Sequence, residues 1–237
     1  MKIKAVLFDL DGTLLPMDQD EFFRVYFKLL AKKLYPYGYT DPKQLVKVVW
    51  GGVDAVCKND GSALNEEVFW NFFCRYFGGD SYKHVPILDE FYRNEFETLK
   101  DVCGFTPDAA DTVKRLKKMG LRTVVATKPI FPARAIESRM RWAGLEVGDF
   151  EYYTDYGQCR FCKPDPGYYK EIADRLGLSP EECLMVGNDV SEDMTAEDAG
   201  MKVFLLTDCL INSENKDISA YKHGGFAELA EYIDTLV

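Results

Sequence analysis

The sequence predicts an α/β protein built on a doubly wound parallel sheet, with a smaller all-helical unit set into it. Three observations carry this. Five short runs are mainly apolar, at residues 3–8, 121–126, 150–153, 183–186 and 202–206. Continuous apolarity, rather than alternation, is the mark of parallel strands covered on both faces. Helical patterns lie between the later runs, and strands alternating with helices imply the doubly wound arrangement. Residues 17–105 break the alternation: they show no convincing strand and hold more than half of the aromatic residues.

Taken in order, residues 3–8 form a first buried strand. The stretch 17–105 then reads as several helices. Phe22, Phe23, Tyr26 and Phe27, and later Phe69, Phe72, Phe73, Tyr76 and Phe77, form stripes that suit an apolar core of their own. Gly51 to Gly61 reads as a loop between helices. Thr106-Pro107-Asp108 starts a helix with an N-cap, a first-turn proline and a first-turn acid. Ala110, Val113 and Leu116 give its buried stripe, and Gly120 ends it. Pro166 to Leu176 repeats the scheme and stops at Gly177. A last helix covers about 226–233. The expected division is a catalytic α/β domain of residues 1–16 and 106–237, and a helical domain of 17–105.

The 237 residues include 47% hydrophobic and 29% charged positions, as in an ordinary globular protein, and the formal net charge is -10. With no dense Lys/Arg block, nucleic acid and anionic membranes are poor partners. No apolar run is long enough for a transmembrane helix. The first residues lead straight into a strand rather than a removable signal peptide. Seven scattered cysteines suit free thiols in a reducing cytoplasm, and Cys159 and Cys162 lack the second pair that a zinc site needs. His84 and His223 sit in no ligand or nucleophile–base pattern.

Chemistry concentrates in Asp9-Leu10-Asp11-Gly12-Thr13-Leu14, directly after the first strand. Open α/β sheets bind ligands at the carboxyl ends of their strands. Two carboxylates this close resist joint ionisation unless a cation or a reaction intermediate uses them. The hexapeptide resembles the first motif of the haloacid dehalogenase superfamily, most of whose members are phosphatases. Partner motifs follow in family order: Thr127 after the second strand, Lys163 in Lys163-Pro164 before a helix, and Gly187-Asn188-Asp189 with Asp193 after the fourth. An insertion after the first strand is where relatives with a helical cap carry it.

The resemblance implies a Mg²⁺-dependent phosphatase acting on a small phosphorylated metabolite. Asp9 would be the nucleophile and Asp11 the general acid/base. Thr127 and Lys163 would hold phosphoryl oxygens. Asp9, the backbone carbonyl of Asp11, and Asp189 would hold the metal. An acid at Asp11 favours phosphoryl transfer, because the dehalogenases lack one there. Two departures stand out. Lys128 replaces the asparagine often found beside the threonine, and it either adds charge near the substrate or points to solvent. Asn188 stands where many relatives place an acid, which leaves the metal register between Asn188 and Asp189 open. Asp193 fits orienting waters or Lys163. Lys58 and Asn59 are candidates for substrate contact from the helical insertion. A sugar-phosphate mutase using the same Asp9 chemistry is the alternative, and a non-catalytic phosphate-binding module a more distant one. The substrate, the oligomeric state and the pathway are not legible.

Overall fold

The computed structural model describes residues 2–237. Six parallel strands form one sheet in the order β3-β2-β1-β4-β5-β6. They are β1 (Ala5–Phe8), β2 (Arg122–Val125), β3 (Tyr152–Tyr153), β4 (Cys183–Gly187), β5 (Lys202–Leu206) and β6 (His223–Gly224). The five expected strands are present. β6 is additional: it is two residues long and has no apolar run to betray it. β2 starts one residue later than the apolar pattern, because the Leu121 N–H still bonds to the Leu116 carbonyl at the end of the preceding helix.

Side chains alternate across the sheet. Val6 and Phe8 join one apolar cluster, and Ala5 and Leu7 join the other. Eight α-helices accompany the strands among the described residues: α1 (Gln19–Leu34), α2 (Pro42–Cys57), α3 (Asn65–Phe77), α4 (Val85–Arg93), α5 (Pro107–Lys118), α6 (Ala133–Trp142), α7 (Pro166–Leu176) and α8 (Phe226–Asp234). The caps match the sequence signals. Thr106 and Asp165 each accept a hydrogen bond from the second residue of their helix, and Gly177 closes α7 in the left-handed region. α6 is a helix that the patterning did not place.

Helices α1 to α4 lie between β1 and α5, in the insertion. Its aromatic residues do not form a separate core. Phe22, Tyr26, Phe91 and Phe96 belong to the same cluster as Val6, Phe8 and Leu14. The insertion leaves and rejoins the sheet at adjacent points: Met17 pairs antiparallel with Cys103, and the Gly104 N–H donates to the Pro16 carbonyl at 2.6 Å.

The expected loop at Gly51 to Gly61 is largely wrong. Gly51 to Cys57 continue α2, and only the residues from Lys58 onward leave the helix. The two glycines serve packing instead. A Cβ on Gly51 would come within 2.6 Å of the Phe72 ring, and one on Gly52 within 2.7 Å of the Phe69 ring. Bare backbone lets α3 approach α2 closely, and this outweighs the poor helix propensity of glycine.

Candidate active site

Strand order reverses at β1, whose neighbours are β2 and β4. A crevice therefore opens at its carboxyl end. Register fixes what lines that crevice. Phe8 pairs with Val125 and Val186, so the residues just past each are brought level with Asp9. The Asp9 N–H donates to the Val186 carbonyl at 2.8 Å, and the Ala126 N–H to the Phe8 carbonyl at 2.6 Å. Asp9, Asp11, Thr127, Lys128, Asn188, Asp189, Glu192 and Asp193 consequently line one cavity of about 140 Å³.

Lys163 stands behind this wall rather than on it. Its buried ammonium donates to Asp9 Oδ1 at 2.9 Å and to Asp193 Oδ1 at 2.5 Å. Burial opposes the charge, but the carboxylates of Asp193 and Asp9 prevail and hold the ammonium well above the ordinary lysine range. Asp193 is pushed upward by the same burial, with Lys163 pulling the other way. Its second oxygen accepts the Asp189 N–H at 2.9 Å, which fixes the turn after β4. Thr127 is held through its carbonyl, which accepts from the Thr154 and Tyr168 hydroxyls, both at 2.7 Å.

Asp11 forms an ion pair with Arg139 of α6. The arginine is 1% exposed, donates from Nε to the Ala135 carbonyl, and lies over the Phe131 ring at 4.6 Å. Burial raises the Asp11 carboxyl above the ordinary carboxylate range, and Arg139 only partly offsets this. Asp11 Oδ1 is buried without a partner among the described residues. Arg139 escaped the sequence reading. The available signal was an arginine inside the apolar stripe of a helix, beside Ala135, Ile136 and Met140.

Asn188 is fully engaged. Its Oδ1 accepts the Thr13 hydroxyl at 3.0 Å, and its Nδ2 donates to the Cys209 carbonyl at 2.6 Å. Gly12, at φ +89°, leaves the room for it: a Cβ there would meet Asn188 Nδ2 at 2.3 Å. Asp189 Oδ1 accepts the N–H groups of Ser191 and Glu192, leaving Oδ2 for another partner. Lys128 does not reach into solvent alone: it pairs with Glu192 at the cavity edge.

The insertion candidates fall away from the cavity. Lys58 is exposed and bonds to Asp54 at 2.6 Å. Asn59 is buried and donates to the Ala63 carbonyl and to Asn65 Oδ1. Asn65 in turn donates to the Phe161 carbonyl at 3.0 Å, tying the start of α3 to the loop before Lys163. Nearby, Cys57 Sγ lies 3.7 Å from Cys162 Sγ, and all seven cysteines are free. His84 bonds to the Tyr39 hydroxyl, and His223 to the Tyr221 carbonyl; neither lines the cavity.

Residues 3–200 match the family described as haloacid dehalogenase-like hydrolase. The chain belongs to that family. It is 29% identical over 203 residues to pyrophosphatase PpaX of Bacillus cereus (strain AH820), covering 85% of this chain and 82% of the relative. It is 22% identical over 213 residues to enolase-phosphatase E1 of Aquifex aeolicus, covering 85% and 88%. A solved HAD phosphatase from Thermococcus onnurineus superposes with a TM-score of 0.62 at 21% identity, covering 98% of each chain. The protein is thus a family enzyme of the phosphatase type, with the α/β fold that the motifs implied. No described helix is long and apolar enough to cross a membrane.

Proposed function

We propose that this family member hydrolyses a small phosphomonoester with Mg²⁺, through an aspartyl-phosphate on Asp9. The observation that carries the reading is the placing of Asp9: at the switch point of the sheet, paired with the Lys163 ammonium, with Asp11 facing the same cavity. Residues 17–105 act as a cap over residues 1–16 and 106–237, turning on the paired connections at Met17 and Cys103.

A carboxylate of Asp9 attacks phosphorus, and the bond from phosphorus to the ester oxygen breaks. Asp11 gives its proton to the departing oxygen. Burial raises its carboxyl and so eases uptake of that proton, against the pull of Arg139, which orients it. Water next attacks phosphorus, Asp11 takes its proton back, and the acyl-phosphate bond breaks. Thr127 offers a hydroxyl to a phosphoryl oxygen. Lys163 acts from behind, holding Asp9 and offsetting the negative charge that gathers in the transition state.

The donor set suits a small hard cation. Among the described residues no three His, Cys, Asp or Glu side chains cluster at metal-binding spacing. Mg²⁺ needs less: one or two carboxylates, with waters and substrate phosphate completing the shell. Asp9, the Asp11 backbone carbonyl and Asp189 would supply those oxygens, and the committed side chain of Asn188 favours Asp189 as the metal carboxylate. When bound, the ion would offset repulsion between Asp9 and phosphate and polarise the phosphoryl group.

The test is phosphate release from sugar phosphates, nucleotides and small phosphorylated metabolites, for wild type and Asp9→Asn, with Mg²⁺ and with chelator. Mg²⁺-dependent release is expected from wild type and should vanish in the variant. Isomerised sugar phosphate without released phosphate would mark the mutase instead. Ligand binding with no turnover would refute both.

A further inference from the structure

We infer that the alcohol part of the substrate is small, uncharged and apolar, a single aromatic ring or a short branched alkyl group, seated against Phe23, Trp50 and Phe131. The inference rests on the phosphatase reading above and narrows it. Six residues of the insertion line the cavity over Asp9: Met17, Gln19, Phe22, Phe23, Trp50 and Val53. None carries a charge, and only Gln19 is polar. A second cavity of about 60 Å³ adjoins the first, and Phe23, Trp50, Val53, Ile130 and Phe131 line both.

This annex is lined mostly by apolar side chains; its polar groups are Asp89, the Tyr26, Tyr92 and Tyr156 hydroxyls and the Trp70 indole N–H, which is unpartnered among the described residues, and no free cation is among them. Its one charged lining residue is Asp89, which repels anions. The Tyr26 and Tyr92 hydroxyls bond to each other at 2.9 Å and so satisfy one another. The cations of the floor are already balanced: Lys128 by Glu192, Arg139 by Asp11, and Lys163 by Asp9 and Asp193. A second phosphate or a carboxylate on the substrate would be desolvated with no free cation to face, and the several hydroxyls of a sugar would outnumber the few polar groups there. An apolar group loses nothing there and gains contact with aromatic rings. Size sets the upper limit. An apolar cavity of about 150 Å³ suffices for benzene; the two spaces here measure about 140 and 60 Å³ and must also hold the phosphoryl group. Together they match a single ring beside the phosphoryl group.

The experiment compares kcat/KM of the Mg²⁺-loaded enzyme for benzyl phosphate, 2-phosphoglycolate, glucose 6-phosphate and pyrophosphate. The first three release alcohols, so the leaving chemistry is comparable. Benzyl phosphate should lead the others by about tenfold or more. Trp50→Arg and Val53→Lys, each placing a cation on the roof, should shrink that lead by raising turnover of 2-phosphoglycolate. Two substitution sites guard against one that fails to fold. Turnover with 2-phosphoglycolate, glucose 6-phosphate or pyrophosphate equal or ahead would overturn the inference while leaving the phosphatase reading intact. No turnover of any compound would overturn both.

Discussion

On the floor of the cavity and just behind it, the cations face carboxylates: Lys163 faces Asp9 and Asp193, Arg139 faces Asp11, and Lys128 faces Glu192. On the roof, the residues contributed by the insertion carry no charge. The two halves are held by different forces. The floor is a buried ionic network whose members depend on one another, so deleting one partner leaves an uncompensated charge. The roof is an aromatic assembly, with Trp50 at 5.0 Å from Phe23 and 5.7 Å from Phe27, whose cohesion is spread over many weak contacts. Damage to the floor should therefore be abrupt, and damage to the roof graded.

The largest expected effect is on the floor. Asp11→Asn removes the proton donor and should lower kcat by about 10² to 10⁴-fold. A loss under threefold in steady-state kinetics would remove Asp11 from the chemistry. Lys163→Met strands Asp9 and Asp193 in a buried site and should cost about 3–5 kcal/mol of unfolding free energy. Urea denaturation reads this directly; an unchanged midpoint would show that the network is dispensable. On the roof, Gly52→Ala presses a methyl group into the Phe69 ring and should cost about 1–3 kcal/mol. A cost matching the floor's would break the contrast between abrupt and graded.

The smallest effect is a shift in pH dependence. Asp11 must carry a proton when the ester bond breaks, so phosphoryl transfer should fall as pH rises through its pKa. Burial raises that pKa and Arg139 lowers it. Arg139→Gln therefore should move the falling limb of the kcat profile to higher pH. Movement to lower pH would show that the pair does not act as drawn.

The floor was far more legible in the sequence than the roof. Asp9, Thr127 and the Gly187-Asn188-Asp189 turn follow apolar runs, so strand ends and chemistry announce each other. Parallel register then brings the motifs level. Lys163 was read as a residue, with Asp193 as one group that could orient it; its full burial out of the cavity wall was not legible, because that depends on how the turn after β4 packs. Arg139 was missed because its one mark, a place in the apolar stripe of α6, does not point to Asp11 until the fold brings the two together. In the insertion, the stripes gave helices but not their packing. Gly51 and Gly52 read as loop because glycine disfavours helix. The neighbouring rings of Phe69 and Phe72, which explain them, lie on another helix.

One of the contacts between the two halves is a pair of thiols. Cys57 ends α2 of the insertion, and Cys162 precedes Lys163. The hydrogen bond from Cys162 leads in bringing the Cys57 thiol down to about 7, burial resists, and Lys128 assists. Were the insertion to move as the proposed cap, the pair would gauge how far roof and floor have parted. When the halves are together, Cys162 is shielded and Cys57 is readily ionised. Were they to separate, Cys57 would lose its donor and become a commonplace thiol, while Cys162 would gain access to solvent. The ratio of alkylation at the two sulfurs, followed by mass spectrometry at neutral pH, would record the excursion of the insertion without any added label on the protein.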